Sequence, residues 1–257
     1  MTHVPALTEA GEPKAPDLAT WTTWCGLAAM ALALFMMSTD LTVLFIAQPA
    51  IAADLRPDAA QALWIVHVGE FLAASLVITM GRLGNVVGRK RLLLLGMSGY
   101  GLASLLAAFA PSPEVLILAR AALGVSLATV TPSAMALLRT MFPSPRQFST
   151  AFALLMMSLS VGAALGPPMG GFLLEHFWWG SVFLVNVPVA VVFLLIAGWS
   201  LPEFRDRTAG RLDLLSIALS VVAVIGVVYG LQQAADGGFE VHHLIAVAVG
   251  VLGGWLF

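Results

Sequence analysis

Gly162-Ala163-Ala164-Leu165-Gly166-Pro167-Pro168-Met169-Gly170-Gly171 lies inside an otherwise unbroken apolar segment running from about Ala151 to Leu174. Glycine and proline disfavour helices in water, yet a membrane helix tolerates them where neighbouring helices pack against its backbone. The stretch is therefore expected to be a packing surface on a membrane helix. If so, the rest of the chain must have the composition of a bilayer protein.

It does. Of 257 residues, 60% are hydrophobic and only 10% charged, against roughly 25% charged in soluble domains, and the mean hydropathy is +0.95. The net charge of -2 gives no electrostatic footprint for nucleic acid, so no nucleic-acid partner is expected. A single cysteine, Cys25, excludes an intrachain disulfide and a cysteine metal cluster, and reads as a small packing residue. Residues 1–22 contain Pro5, Glu9, Glu12, Pro13, Lys14, Pro16 and Asp17. They lack the basic start and short apolar core of a signal peptide and are expected to form a cytoplasmic tail.

About 20 apolar residues cross a hydrocarbon core roughly 30 Å thick. Seven such segments can be drawn: Trp24 to Ala47, Ala62 to Leu83, Leu92 to Ala110, Val115 to Leu138, Ala151 to Leu174, Ser181 to Leu201 and Leu214 to Leu231. An eighth begins near His243 and is still running at Phe257, which leads us to expect a fragment of a longer protein. Arg82, Arg89, Lys90 and Arg91 fall between spans two and three, Arg139 and Arg146 between four and five, and Arg205, Arg207 and Arg211 between six and seven. The opposite loops offer only Arg56 among Asp54, Asp58, Glu114, Glu175, Asp236 and Glu240. The positive-inside bias places the amino terminus in the cytoplasm. Spans one to three and four to six show no evident sequence repetition, although inverted repeats persist as structure with little sequence trace.

Four ionisable groups lie within the spans: Asp40, His67, Glu70 and Arg120. Burying one costs about 2.5–3.5 kcal/mol on insertion scales, so such groups face a partner or a water-filled cavity. Counted along their helices, all four fall in the outer half, and His67 and Glu70, three residues apart, share a face. Two readings follow. In one, a carboxylate alternates between protonated and charged forms and exchanges its proton for a cationic substrate; in the other, an internal salt bridge to Arg120 holds the bundle together. Between spans two and three, Gly81, Gly84 and Gly88 alternate with Asn85, Arg89, Lys90 and Arg91. The small residues allow a tight turn and the cations anchor it at an anionic membrane face.

These residues resemble the 14-span drug/proton antiporter group of the major facilitator superfamily. Asp40-Leu41-Thr42 followed by Ala47-Gln48-Pro49 is similar to that group's first-helix motif, D-x-T then A-x-P, whose acid is associated with proton or cation handling. Gly81 to Arg91 resembles the cytoplasmic gating motif. Arg120 to Gly124 resembles the fourth-helix R-x-x-x-G, whose arginine is linked to proton transfer. Gly162, Gly166, Pro167, Gly170 and Gly171 match the antiporter motif G-x-x-x-G-P-x-x-G-G, and Trp179 with Phe183, Asn186 and Pro188 matches a signature entering helix six. Three departures stand out. Asn85 replaces the gating motif's usual aspartate and Val86 an arginine, while His67 stands where cationic-drug exporters carry an acid, a duty Glu70 could take over.

The expected fold is an all-α integral membrane protein: a tail over residues 1–22, a six-helix major-facilitator-type bundle over 23–201, a cytoplasmic linker over 202–212, and over 213–257 one complete and one partial additional transmembrane helix. The resemblance implies export of small amphiphilic, drug-like compounds, cations among them, by proton antiport across a bacterial inner membrane, with protons as coupling ion and no other cofactor. Its partners would be the substrate, the bilayer and a carboxy-terminal bundle of the same protein. Asp40, Glu70, His67 and Arg120 would serve coupling and substrate, with Met36, Met37, Phe45, Met156 and Met157 as apolar contacts. Rival readings are a proton symporter or a uniporter for another small solute, disfavoured by the antiporter motif but kept open by Asn85 and His67, and a membrane sensor or scaffold that does not transport. No His-Glu-x-x-His or Gly-x-Ser-x-Gly pattern supports an enzyme.

Overall fold

The computed structural model describes residues 19–204 and 241–256, with residues 219, 223, 226 and 227 between them. Its described helices are α1 (Trp21–Leu55), α2 (Ala59–Val87), α3 (Arg89–Ala108), α4 (Pro113–Leu127), α5 (Val130–Met141), α6 (Pro145–His176), α7 (Ser181–Leu184), α8 (Asn186–Ser200) and α9 (Val241–Leu256). Six stretches among the described residues are long and apolar enough to span a membrane, the fourth being α4 with α5 and the sixth α7 with α8. The seventh span, Leu214 to Leu231, lies almost entirely outside the described residues. The expected eighth segment coincides with the helix α9, which starts at Val241 and is not among those six stretches.

Helix ends follow local chemistry. Asp58 and Gln61 form a reciprocal capping box at the start of α2, with bonds of 2.7 and 3.0 Å. Gln61 Nε2 also donates to Glu114 Oε1 in the first turn of α4 at 2.7 Å, tying two helix starts together. Spans four and six, read from the sequence as continuous, are each interrupted. Pro132 has no N–H for the carbonyl of Ala128, and α4 stops at Leu127 with a tighter turn in which Thr129 N–H donates to Ser126 O. Pro188 stands in the same relation to Leu184, the last residue of α7.

The packing contains the repeat that the sequence hides. Span one packs most extensively on span five, α1 against α6, and span two on span four, α2 against α4; span one also packs on span six, and span three on span four. Exchanging spans one, two and three for four, five and six converts each of these pairs into the other. This is the contact pattern of two three-helix repeats related by a pseudo-two-fold axis.

Both heavy seams are lined by glycine. A Cβ on Gly162 would lie 2.6 Å from Phe35 O, one on Gly166 2.9 Å from Thr42 Cβ and against its hydroxyl, and one on Gly170 3.2 Å from Val43 Cγ1. The antiporter-like stretch is therefore the contact face of α6 with α1, one turn per glycine. Gly171 has nothing within 4 Å and Pro167 is exposed, so these two motif residues stand outside the seam. In the second seam, a Cβ on Gly124 would run into the backbone of Gly69, 2.7 Å from its Cα.

Candidate functional site

The site is built on those two seams. Gly124 lets α4 approach α2 backbone to backbone, and Arg120, one turn earlier, is carried across the face of α2. There its Nε donates to Ile65 O at 3.1 Å and its Nη2 to Val66 O at 3.4 Å. The third arm, Nη1, crosses to α1 and meets Asp40 Oδ2 at 2.6 Å. The two side chains are 2% and 3% exposed, a charge pair almost wholly withdrawn from solvent. The spacing R-x-x-x-G thus has a physical basis: the glycine sets the interhelical distance over which the arginine can reach.

Asp40 is placed by the other seam. Thr39 and Thr42, on its flanks, lie against Gly162 and Gly166, and Thr39 Oγ1 donates to Phe35 O at 2.8 Å and to Gly162 O on α6 at 3.4 Å. The register of α1 on α6 therefore fixes where the carboxylate meets the guanidinium.

A cavity of about 280 Å³ opens beside the pair. Asp40, Glu70 and Arg120 face it among apolar or small residues including Met37, Leu41 and Val77. Asp40 and Arg120 are paired with each other, and Glu70 is the other acidic side chain facing this cavity. His67 is not in the wall; its Nδ1 stands 3.9 Å from Glu70 Oε2, and its ring stacks on Phe71. The structure thus brings three of the four in-span ionisable residues to one cavity and pairs Arg120 with Asp40 rather than Glu70. Of the apolar candidates only Met37 lines it; Met36 is in the core, Met156 packs partly against the core, and Phe45 and Met157 are exposed.

At the other end of α2, Gly88 adopts φ 116°, a left-handed-side conformation that disfavours any side chain, and a Cβ there would strike Glu203. The turn is clasped by the last turn of α8 and the segment following it. Arg89 N–H donates to Phe204 O at 2.9 Å, Arg91 Nε stands 3.5 Å from Glu203 Oε2, and Lys90 Nζ donates to Gly198 O at 2.7 Å. Buried Arg89 donates from Nη2 to Asn85 Oδ1 at 2.6 Å and from Nη1 to Pro132 O at 3.3 Å. Asn85 therefore keeps the acceptor that an aspartate would supply, without its charge. Gly84 packs under the Arg89 side chain, and a Cβ on Gly81 would make only an ordinary contact with Pro132.

Sequence reading missed Tyr100 and Ser104, and it named Trp179 and Asp54 without joining them. Trp179 Nε1 donates to Asp54 Oδ2 at 2.6 Å, pinning the end of α1 to the turn before α7. Tyr100 and Ser104 on α3 are fully buried. A phenol in the middle of an apolar span was the available signal for Tyr100.

Residues 30–214 match the Major Facilitator Superfamily. The multidrug efflux pump LfrA of Mycolicibacterium smegmatis is 44% identical over 234 residues, covering 91% of this chain and 46% of that protein. The methyl viologen resistance protein SmvA of Salmonella typhimurium is 36% identical over 83% of this chain and 43% of its own length. The puromycin resistance protein pur8 of Streptomyces alboniger is 34% identical over 89% of this chain and 46% of its own length. The chain spans about half the length of the curated relatives it matches. With six apolar spans, two glycine seams and these relatives in agreement, the chain is an integral membrane protein that belongs to the Major Facilitator Superfamily.

Proposed function

We propose that this chain is the amino-terminal bundle of an exporter that exchanges protons for small amphiphilic compounds, organic cations among them. The observation that carries the reading is the buried Asp40–Arg120 pair in the wall of an apolar cavity that also exposes Glu70. A carboxylate balanced by one arginine can take up a proton without leaving Arg120 unpartnered, because two α2 carbonyls still hold the guanidinium. Glu70 supplies the negative charge a cation would meet, and the apolar wall supplies area for its hydrophobic part. The names of relatives, multidrug efflux and methyl viologen resistance, support the same substrate class.

Alternating access needs a second bundle rocking against this one around the site. The decisive measurement uses the full-length gene product in proteoliposomes with an internal pH dye. Methyl viologen should move protons in the direction opposite to itself. Transport of the dication that is indifferent to the proton gradient would overturn the exchange reading.

The proposed orientation puts the amino terminus and the clasped Gly88–Arg91 turn in the cytoplasm, in accord with the lysine and arginine asymmetry of the loops. Reporter fusions should be active in the cytoplasmic form when inserted after Gly88 and in the exported form after Pro111. The opposite pattern would invert the proton path.

A further inference from the structure

The Asp40–Arg120 pair has a second space on its far side. The cavity beside the pair extends toward the end of the bundle that carries the Gly88 turn, through Met37 on α1, Val77 on α2 and Thr131 on α5. A separate cleft of about 290 Å³ lies between the opposite ends of α1 and α2, lined by Gln48 and Ile51, by Ala62 and Ile65, and by Pro57 of the loop joining the two helices. Gln48, the one polar side chain among the described residues lining it, stands about 12 Å beyond Asp40 along the axis of α1. Ile65 belongs to both places: it lines the cleft, and its backbone oxygen accepts from Arg120 Nε at 3.1 Å. Leu44 stands one turn from Asp40 and one turn from Gln48, on the same side of α1, and both Leu44 and Ile65 are 2% exposed. Buried apolar side chains on two helices thus separate the cleft from the ion pair. A constriction of that kind stays dry and stops ions until it is wetted.

Resting on the proton-exchange reading and the orientation given with it, we propose that this cleft is the outer entry for the proton, closed by Leu44 and Ile65 and separate from the cavity in which the cation binds. When the two apolar side chains part, a hydronium ion in the cleft gives its proton to an Asp40 carboxylate oxygen and leaves water behind. Arg120 keeps Ile65 O and Val66 O during the transfer. The neutral acid later passes the proton to water in the inner cavity. A separate entry has an electrostatic reason: a cation held beside Glu70 occupies the inner cavity and repels a second positive charge arriving by the same route, whereas the cleft reaches the pair from behind.

The test uses the full-length gene product in proteoliposomes with an internal pH dye and an imposed proton gradient. Without substrate, Leu44→Ser should leak protons several-fold faster than the wild type, and adding Asp40→Asn should return the leak to the wild-type level. Independently, Gln48→Cys in a Cys25→Ser background, labelled from outside with a quaternary-ammonium methanethiosulfonate, should lose proton-driven export several-fold against its unlabelled form while binding methyl viologen as before. A folded Leu44→Ser without a leak, or a leak that survives Asp40→Asn, would overturn the proposal. If Leu44→Ser does not fold, the labelled protein decides, and undiminished export would overturn it. Weakened methyl viologen binding on labelling would also overturn it by placing the cleft on the substrate's path. A wild type in which methyl viologen moves no protons would bring down the exchange reading itself.

Discussion

Asp40→Asn in the full-length gene product should reduce substrate-driven proton release to the background of empty vesicles while leaving the protein folded, whereas Arg120→Leu should fail first by unfolding. The asymmetry follows from the partners. In Asp40→Asn the amide oxygen still accepts from Nη1, and the guanidinium keeps Ile65 O and Val66 O, so the buried cation retains three acceptors. What is lost is a group that titrates. In Arg120→Leu a 3%-exposed carboxylate loses its charged partner, and two α2 carbonyls lose a donor at the same time. Breaking a buried pair from one side costs about 3–5 kcal/mol, a large share of the stability of a typical domain. Proton release measured beside thermal unfolding separates the two. Unchanged proton release in Asp40→Asn would remove Asp40 from coupling, and equal stability of the two variants would show that the pair does not hold the bundle.

Gly166→Leu should be the most damaging change among the motif glycines, and Gly171→Leu close to harmless. Leucine is the better helix former, so any loss at position 166 has to come from packing. Its first side-chain carbon would already collide with the Thr42 hydroxyl and lie 2.9 Å from Thr42 Cβ, and the opposing groups are helix backbone and a β-branched residue that cannot turn away. Overpacking costs typically 1–3 kcal/mol, and here it also pushes Asp40 away from Arg120, so export should fall more than expression does. At Gly171 the same side chain enters open space. Expression and export assays on the two variants decide the matter; comparable behaviour would mean that α1 and α6 do not depend on this contact.

The spans were legible because twenty-residue apolar runs have few alternative meanings, and the glycine-rich stretch declared a packing face before any partner was known. Its partner was not legible. Which helix meets Gly166 depends on how six helices arrange themselves, and nothing local to residues 162–171 encodes that α1 lies opposite. The same limit applies to Arg120, which meets Asp40 where α4 and α2 touch backbone to backbone at Gly124 and Gly69; the motif marks Gly124, but nothing in the sequence joins it to Gly69. The interruptions at Ala128 and Val185 were available in principle. Pro132 and Pro188 each stand four residues beyond an unsupported carbonyl, but apolar composition outweighed them, and Pro49 inside the unbroken α1 shows that proline alone does not settle the question. Tyr100 and Ser104 were hidden for another reason: a hydroxyl in a span gives no indication of depth until neighbouring helices are in place.

The clasp joining Arg89 to Phe204 has a consequence for the order of biosynthesis. Its two halves lie on either side of four spans, so the turn after the second span cannot close until the sixth has been made and inserted. At roughly 5–20 residues per second the ribosome needs on the order of ten seconds to cover that distance. Throughout that interval the backbone N–H of Arg89 and the side chain of Arg91 lack the partners at Phe204 and Glu203, and closing so long a loop adds an entropic cost that grows with its length. The clasp is thus a marker of completed insertion: a nascent chain stalled anywhere before Phe204 would carry an open, protease-accessible turn, and one released beyond it a shielded one.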